Sequence, residues 1–374
     1  MAFALGVTGA AWLVVTWLVY PAVVALAARA VRVQPVAAPV PWPGATCVLA
    51  AREPAAVIDA RVRSWLASDY PGPLDVVVAI DPSVLDPWIP PIDLAGRVQV
   101  VAGDAPGGKC ANLNAGVRAA QGEILIMGDA HQAFEPDAIT RLVARLGDPR
   151  VGAVAGQLEI PAGGAGLVSR LYWRYERALR ANEARIHSTI GVSGSIYAVR
   201  RALWAPFPAG LILDDVHLPM RLVLSGHRIA FEKGATAHES RRVEAGQEFR
   251  RKVRTLTGNY QLCAWLPGVL IPIRNPVWLQ FVLHKLARLA TPFALLACLL
   301  GAALAMPALP REISRLVLGA GAVVAALLAL SPDPVSRRLR SAALQVAGLV
   351  AAPAVALLNA LRGDWDVWQP HARR

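Results

Sequence analysis

The apolar positions in the first half of the chain fall into short continuous runs, each followed by polar residues and a turn. Such runs are typical of strands buried on both faces, and the stretches between them have helical spacing. The predicted strands are 46–50, 74–80, 97–103 and 123–129, and the predicted helices are 57–67, 111–120 and 136–146. Strands that alternate with helices in this way predict a mostly parallel sheet covered on both faces.

A different pattern marks the two ends of the chain. Residues 2–28 carry no charge and, at about 1.5 Å per residue, are long enough to cross a hydrocarbon core of roughly 30 Å. A secretory signal peptide is the alternative, but this run is longer than a signal core and has no basic segment before it. Apolar runs at 289–309, 316–330 and 342–361 predict about three C-terminal spans, of which the middle one is short. The side of the membrane on which the C-terminus lies is left open.

These patterns predict five regions. They are an N-terminal transmembrane helix (1–30), a globular α/β domain (44–270), an interfacial amphipathic segment (271–288), C-terminal transmembrane helices (289–362) and a tail (363–374).

The formal net charge of +12 is concentrated before the second apolar region. The basic cluster comprises Arg241, Arg242, Arg250, Arg251, Lys252, Arg254, Arg274, Lys285 and Arg288. Basic residues beside membrane spans are typical of cytoplasmic segments. With Arg29 and Arg32 they predict a multi-pass protein of the plasma (inner) membrane whose globular domain is cytoplasmic. No recognition module accompanies the charge, so we predict no nucleic-acid partner. The four cysteines have no paired spacing and indicate neither a disulfide framework nor a zinc site.

Polar residues follow the ends of the predicted strands. Glu53, Asp81 and Asp129 lie just beyond three of them, and Lys109 follows the glycine loop after another. In parallel sheets the carboxyl ends of the strands share one edge, where ligands bind. Each acid by itself could be a helix cap, but four polar groups at one edge favour a binding site.

The segment around Lys109 resembles a motif of a known enzyme family. In GGKCANLNAG (107–116), Gly108, Lys109, Leu113, Asn114 and Gly116 match the G-K-x-x-x-L-N-x-G pattern of inverting family 2 glycosyltransferases. The resemblance covers roughly residues 44–288 and points to the membrane-embedded branch related to cellulose, hyaluronan and ceramide glycosylating enzymes. It implies a GT-A (Rossmann-like) α/β catalytic domain with transmembrane α-helices.

Other segments resemble the same family in the same order. Asp129-Ala130-His131 stands where the family has a metal-binding D-x-D, and LILDDVHLPM (211–220) is similar to the segment whose second acid is the catalytic base. RKVRTLTG (251–258) keeps Arg254 and Gly258 of a Q-x-x-R-W motif but lacks its Gln and Trp, which puts processive polymerisation in doubt. The implied site residues are Asp215 and Asp214 for catalysis; Glu53, Asp81, Lys109, Asn114, Asp129 and Arg254 for the nucleotide sugar; Gly194, Ser195 and Arg200 on the acceptor side; and Asp129 and His131 for a metal.

The resemblance implies transfer of a sugar from a nucleotide-diphosphate sugar, here expected to be a UDP-sugar, to a lipid-linked or saccharide acceptor with inversion. A divalent cation, Mn²⁺ or Mg²⁺, is the implied cofactor, and polysaccharide-export or biosynthesis proteins are possible partners. The alternatives are a processive polysaccharide synthase subunit and an inactive scaffold that binds nucleotide sugars. A transporter is disfavoured by the large globular domain and by spans almost free of charge.

His131 departs from the family pattern and has three interpretations. Imidazole suits Mn²⁺ better than Mg²⁺, which prefers oxygen ligands. His131 is therefore a direct ligand of Mn²⁺, a residue that contacts a metal-bound water or phosphate, or a loop histidine without such a role.

Overall fold

The computed structural model describes residues 2–32, 38–159, 167–239, 245–305 and 351–366, with the isolated helical positions 312, 340 and 348. The predicted span 316–330, Arg241, Arg242 and most of the predicted tail lie outside these residues. The helices are α1 (Ala2–Val14), α2 (Tyr20–Ala30), α3 (Ala55–Leu66), α4 (Lys109–Ala119), α5 (Ala138–Arg145), α6 (Leu167–Ile186), α7 (Asp214–Leu224), α8 (Ala245–Trp265), α9 (Trp278–Phe281), α10 (Ala287–Leu289) and α11 (Thr291–Ala305). The strands are β1 (Ala45–Ala51), β2 (Leu74–Ile80), β3 (Val98–Ala102), β4 (Ile124–Met127), β5 (Gln132–Phe134), β6 (Val151–Glu159), β7 (Tyr197–Arg200) and β8 (Arg228–Glu239).

The eight strands form one sheet in the order β3-β2-β1-β4-β7-β6-β8-β5. β1 lies between β2 and β4 and is parallel to both, and β2 is parallel to β3. This half contains the four predicted strands in the predicted orientation. Their apolar residues are covered on both faces, and Gly116 of α4 lies so close to β1 that an added Cβ would be 2.6 Å from Cγ1 of Val48.

The other half of the sheet corrects the prediction of a mostly parallel sheet. β7 pairs antiparallel with β4 and β6, and β5 pairs antiparallel with β8, while β6 and β8 are parallel. The sheet is therefore mixed. The pattern of β8 explains why the sequence did not predict it, because its buried and half-buried residues are interspersed rather than continuous. β5 has three residues, too few for a recognisable apolar run.

The chain divides into two compact units. One comprises Met1–Val23, Val243–Gln261 and Phe281–Arg374, and the other comprises Val24–Arg242 and Leu262–Gln280. The sheet lies entirely in the second unit. Most of α8 belongs to the first unit, and the predicted domain boundary at residue 270 stays a prediction.

In the first unit α1 packs closely on α11 through small residues. A Cβ added to Gly9 would lie 2.5 Å from the carbonyl oxygen of Ala294 and 2.9 Å from Sγ of Cys298. Trp12 donates a hydrogen bond of 3.0 Å to the carbonyl of Ala287, and Trp17 donates one of 3.1 Å to Oγ1 of Thr291. Small residues allow this close approach of two apolar helices.

Among the described residues one apolar helix has the length and composition of a membrane span, and a bent pair of helices would be a second if the pair is one span. Phe3–Ala30 has a mean hydropathy of 2.0 over its most apolar window, of which 17% is buried. Trp278–Leu289 and Thr291–Ala305 meet the same criterion as a pair bent by 57°. The break falls at Ala290, so the predicted span 289–309 starts at a bend, and Ala351–Arg362 is a shorter apolar helix within the predicted span 342–361.

In the second unit Asp81, at the end of β2, binds the glycine loop that contains Gly107 and Gly108. Its carboxylate accepts hydrogen bonds from the amide and hydroxyl of Ser83, from the amide of Gly108 at 2.7 Å and from Nδ2 of Asn112 at 3.0 Å. Gly107, with φ of +94°, leaves room for this carboxylate, which would be 3.2 Å from an added Cβ. Burial would raise the pKa of Asp81, but these hydrogen bonds outweigh it and lower the pKa to about 2.

We expect Asp81→Asn to lower the temperature of thermal unfolding, because an amide group would face donors where a carboxylate accepted them. The cost should be about 2 kcal/mol. The pKa of Asp81 in the folded protein lies below its unfolded value of about 4, so the carboxylate stabilises the fold above pH 4 and this contribution disappears as pH falls toward 2.

Thermal unfolding of the purified protein between pH 3 and pH 7 measures both effects. The mutant should lose part of the acid dependence of the wild type, whereas Asp86→Asn, in the exposed part of the same loop, should keep it. An unchanged acid dependence in Asp81→Asn would contradict this account.

Candidate functional site

The polar residues that follow the parallel strands lie at the carboxyl edge of this half of the sheet. Glu53 follows β1, Asp81 follows β2 and Asp129 follows β4. Parallel pairing of β1 with β2 and β4 brings these three strand ends to one edge. The carboxylate of Asp81 accepts four hydrogen bonds from within the protein, which use all its acceptor positions. Its role in binding the nucleotide sugar stays a prediction.

Lys109, the first residue of α4, links two acids from different elements. Its Nζ lies 3.0 Å from Oδ1 of Asp129 and 3.3 Å from Oδ2 of Asp214. Burial would lower the pKa of Lys109, but the charges of Asp129 and Asp214 outweigh it and hold the pKa well above its usual value. The ammonium group is therefore charged at neutral pH, and its side chain remains one third exposed.

The turn before β7 completes this side of the site. Ser195 donates a long hydrogen bond of 3.4 Å to Oδ2 of Asp129. A Cβ added to Gly194 would lie 3.2 Å from Nζ of Lys109 and 3.7 Å from Cβ of Asp215, so glycine allows these side chains to approach the turn. The amide of Val192 donates to the carbonyl of Asp215 at 2.8 Å, which ties the turn to the start of α7.

Asp214 and Asp215 occupy the first turn of α7, where the helix dipole favours negative charge. Asp214 is buried and forms an ion pair with Lys109. Asp215 is half-buried and therefore accessible to a ligand. Of the two aspartates Asp215 is the more accessible, and its role as the catalytic base stays a prediction.

His131 and Glu53 face each other beside Asp129. Nε2 of His131 lies 3.9 Å from Oε1 of Glu53. The side chain of Asp129 is about one third exposed, and its oxygens lie against Lys109 and Ser195. Among the residues that the structure describes, no three acidic, histidine or cysteine side chains are grouped so as to hold a metal ion. Asp129 and His131 fit a divalent cation only if a bound ligand supplies the remaining donor atoms.

Two of the predicted site residues, Asn114 and Arg200, are held by contacts away from this cluster. Nδ2 of Asn114 donates to the backbone carbonyl of Phe207 at 2.9 Å, and Oδ1 of Asn114 accepts from the backbone amide of Phe207 at 2.8 Å. Arg200 pairs with Ile124, at the opposite end of β4 from Asp129, and its guanidinium donates to the carbonyls of Val151, Leu146 and Asp148. These contacts give Asn114 and Arg200 structural roles. Arg254 lies on α8 in the other compact unit.

Two residues that the sequence did not single out lie close to the cluster. Tyr197 of β7 is buried, and its hydroxyl has no hydrogen-bond partner among the described residues. Burial, followed by the charge of Asp214, raises the pKa of Tyr197, so the phenol stays protonated. Arg61 lies on the buried face of α3. It is three residues after Ile58 and four before Trp65, a spacing that places all three on one face of a helix, so the sequence could have indicated that Arg61 is buried.

Comparison with known proteins identifies related sequences. The chain is 27% identical over 279 residues to a beta-monoglucosyldiacylglycerol synthase of Synechocystis, covering 67% of this chain and 57% of that protein. It is 26% identical over 199 residues to an N-acetylglucosaminyltransferase of Azorhizobium caulinodans, covering 47% of this chain and 49% of the relative. The matches thus span about half the length of these relatives.

A solved structure has the same fold over nearly the whole chain. The mannosyltransferase PcManGT of Pyrobaculum calidifontis superposes with a TM-score of 0.70 and 21% identity, covering 96% of this chain and 99% of that one. The sequence profile described as "Glycosyltransferase like family 2" matches residues 43–258, more than half of the chain. The mixed α/β sheet is consistent with the GT-A, Rossmann-like fold, and the chain belongs to glycosyltransferase family 2.

Proposed function

We propose that this glycosyltransferase transfers a sugar from a nucleotide-diphosphate sugar to an acceptor hydroxyl with inversion of the anomeric centre. The observation that carries the proposal is the grouping of Asp129, Lys109 and Asp215 at the carboxyl edge of the sheet. The related PcManGT structure contains GDP-Man and Mn²⁺, which supports a nucleotide sugar and a divalent cation here. Our expectation of a UDP-sugar remains open to test.

The base is Asp215 in this proposal. Its half-buried carboxylate takes the proton of the attacking hydroxyl while the hydroxyl oxygen forms a bond to the anomeric carbon. The bond from that carbon to the phosphate oxygen breaks, and the electron pair leaves with the nucleoside diphosphate. One displacement without a protein nucleophile inverts the configuration.

Lys109 stabilises the negative charge of the departing diphosphate, and its ammonium group forms ion pairs with Asp129 and Asp214. A divalent cation would be held by Asp129 and His131 together with the diphosphate, and would supply Lewis-acid stabilisation of the leaving group. Gly194 keeps the space between Lys109 and Asp215 free for the reacting groups.

We infer that the acceptor is presented at a membrane surface. The helix Phe3–Ala30 is apolar and largely exposed, and the bent pair Trp278–Leu289 and Thr291–Ala305 is apolar as well. One relative is a beta-monoglucosyldiacylglycerol synthase, which supports a lipid acceptor over a growing polysaccharide. Arg29, in the last turn of the N-terminal helix, and Arg32, just after it, favour a cytoplasmic catalytic domain at the plasma membrane.

We expect Asp215→Asn to lower kcat by about 100-fold or more, because a general base contributes on that order. Purified protein in lipid vesicles containing diacylglycerol and glucosyl-diacylglycerol is incubated with UDP- or GDP-sugars and Mn²⁺ or Mg²⁺, and nucleoside diphosphate release is measured. Asp86→Asn, an exposed aspartate beyond β2, is the control and should retain the wild-type rate.

Two outcomes would contradict different parts of the proposal. If the wild type neither hydrolyses nor transfers any of the sugars, the proposed function fails. If the wild type is active and Asp215→Asn keeps its kcat, the assignment of the base fails.

We expect His131→Asp to shift the metal preference from Mn²⁺ toward Mg²⁺, because a second carboxylate replaces a nitrogen donor beside Asp129. The ratio of initial rates in the two metals measures this shift. His227→Asp, at the turn between α7 and β8, should leave the ratio unchanged. The same ratio in His131→Asp and the wild type would count against direct ligation by His131.

A further inference from the structure

Arg61 is a charged residue enclosed in the hydrophobic core. It lies on the face of α3 that also carries Ile58, Val62 and Trp65, and only 2% of its surface is exposed. Its guanidinium carbon lies 4.2 Å from the ring centre of Trp65 and 4.0 Å from that of Phe134. The cation therefore packs against both aromatic rings, whose planes are inclined by 70° to each other.

None of the three guanidinium nitrogens of Arg61 has a hydrogen-bond partner in the part of the chain that the structure describes. Burying a charged donor group without partners is costly, and contacts with aromatic rings offset part of that cost. Burial lowers the pKa of Arg61 to about 9, while the nearby Cys47 and Asp129 oppose this lowering. The guanidinium of Arg61 is therefore still protonated at neutral pH. A methionine of similar length would fill the same space without the free-energy cost of burying a charge.

The position of Arg61 connects it to the site. A Cβ added to Gly128 would lie 2.5 Å from a terminal nitrogen of Arg61 and 3.1 Å from Cζ of Phe134. The guanidinium thus lies directly against the backbone of Gly128, the residue before Asp129. Glycine is required here because any side chain would displace the cation or the ring.

The buried positive charge of Arg61 changes the electrostatic field at Asp129. Glu53, Asp129, Asp214 and Asp215 bring negative charge to the edge of the sheet, and Lys109 forms ion pairs with two of them. Arg61 adds a positive charge beneath Asp129 that water cannot screen effectively. Such a charge repels a cation bound at Asp129 and attracts a diphosphate.

We propose that Arg61 is a positioning residue that supports the Gly128–Asp129 strand end and biases the site toward binding the diphosphate before, or together with, its cation. This inference rests on the proposed function, because it assumes that a nucleoside diphosphate binds beside Asp129. It assigns Arg61 an electrostatic effect on ligands that it does not contact.

The test compares Arg61→Met, which removes the charge and keeps much of the volume, with Arg61→Lys, which keeps the charge. Arg63→Met is the matched control, because Arg63 lies on the same helix but is exposed and paired with Asp59 and Asp93. Titration calorimetry measures the affinity of Mn²⁺ alone, of UDP and GDP alone in EDTA, and of each nucleotide in the presence of Mn²⁺. Thermal unfolding of each variant is recorded in parallel.

In Arg61→Met we expect Mn²⁺ to bind more tightly and the nucleotide more weakly, each by about tenfold, because one buried positive charge is lost. Arg61→Lys should remain within about threefold of the wild type for both ligands, and Arg63→Met should not differ from it. A purely structural role would change the unfolding temperature and leave the ratio of the two affinities unchanged. If Arg61→Met does not fold, Arg61→Gln provides a second neutral variant for the same two titrations.

The outcomes separate this inference from the proposed function. If the wild type binds neither UDP nor GDP, with or without Mn²⁺, the proposed function fails. If the wild type binds them and the neutral variant changes both affinities in the same direction or neither of them, the role of Arg61 is overturned.

Discussion

The parallel pairing of β1 with β2 and β4 is the constraint on which the candidate site depends. Val48 pairs with Val77 on one side and Met127 on the other, so the three strands end close together. Because side chains alternate between the faces of a strand, a shift of one residue would reverse every side chain of the shifted strand. Both faces of these strands are closely packed, so a reversed side chain would no longer fit its neighbours, and this packing holds Glu53, Asp81 and Asp129 at one edge.

The mixed half of the sheet brings the turn with Gly194 and Ser195 to the site. β7 runs antiparallel to β4, so the turn that precedes it lies beside the carboxyl end of β4. Gly194 and Ser195 therefore reach Asp129 and Lys109. The same antiparallel pairing carries Arg200 to the other end of β4, where backbone carbonyls bind it. One strand orientation thus explains both the presence of Ser195 in the cluster and the absence of Arg200.

The charges of the cluster are arranged in two layers. Lys109 is half-buried and lies between Asp129 and Asp214, where it can respond to a ligand. Arg61 lies beneath the strand end, packed against Trp65 and Phe134, and is almost completely buried. Asp129-Ala130-His131 has one acid where a D-x-D motif has two. The site therefore carries one negative charge fewer at this position.

The sequence by itself determined the parallel half-sheet, the polar residues at its carboxyl edge and the apolar helix at the N-terminus, because each depends on a local pattern of apolar residues. It also determined the family, since the segments around Lys109, Asp129 and Asp215 occur in the family's order. Only the tertiary structure decided that Asp214 is buried against Lys109 while Asp215 is half-buried, and that Asn114 binds the backbone of Phe207. It also decided that Arg61 lies beneath Gly128. These facts depend on contacts between residues distant in the chain, which no local pattern of apolar and polar positions contains.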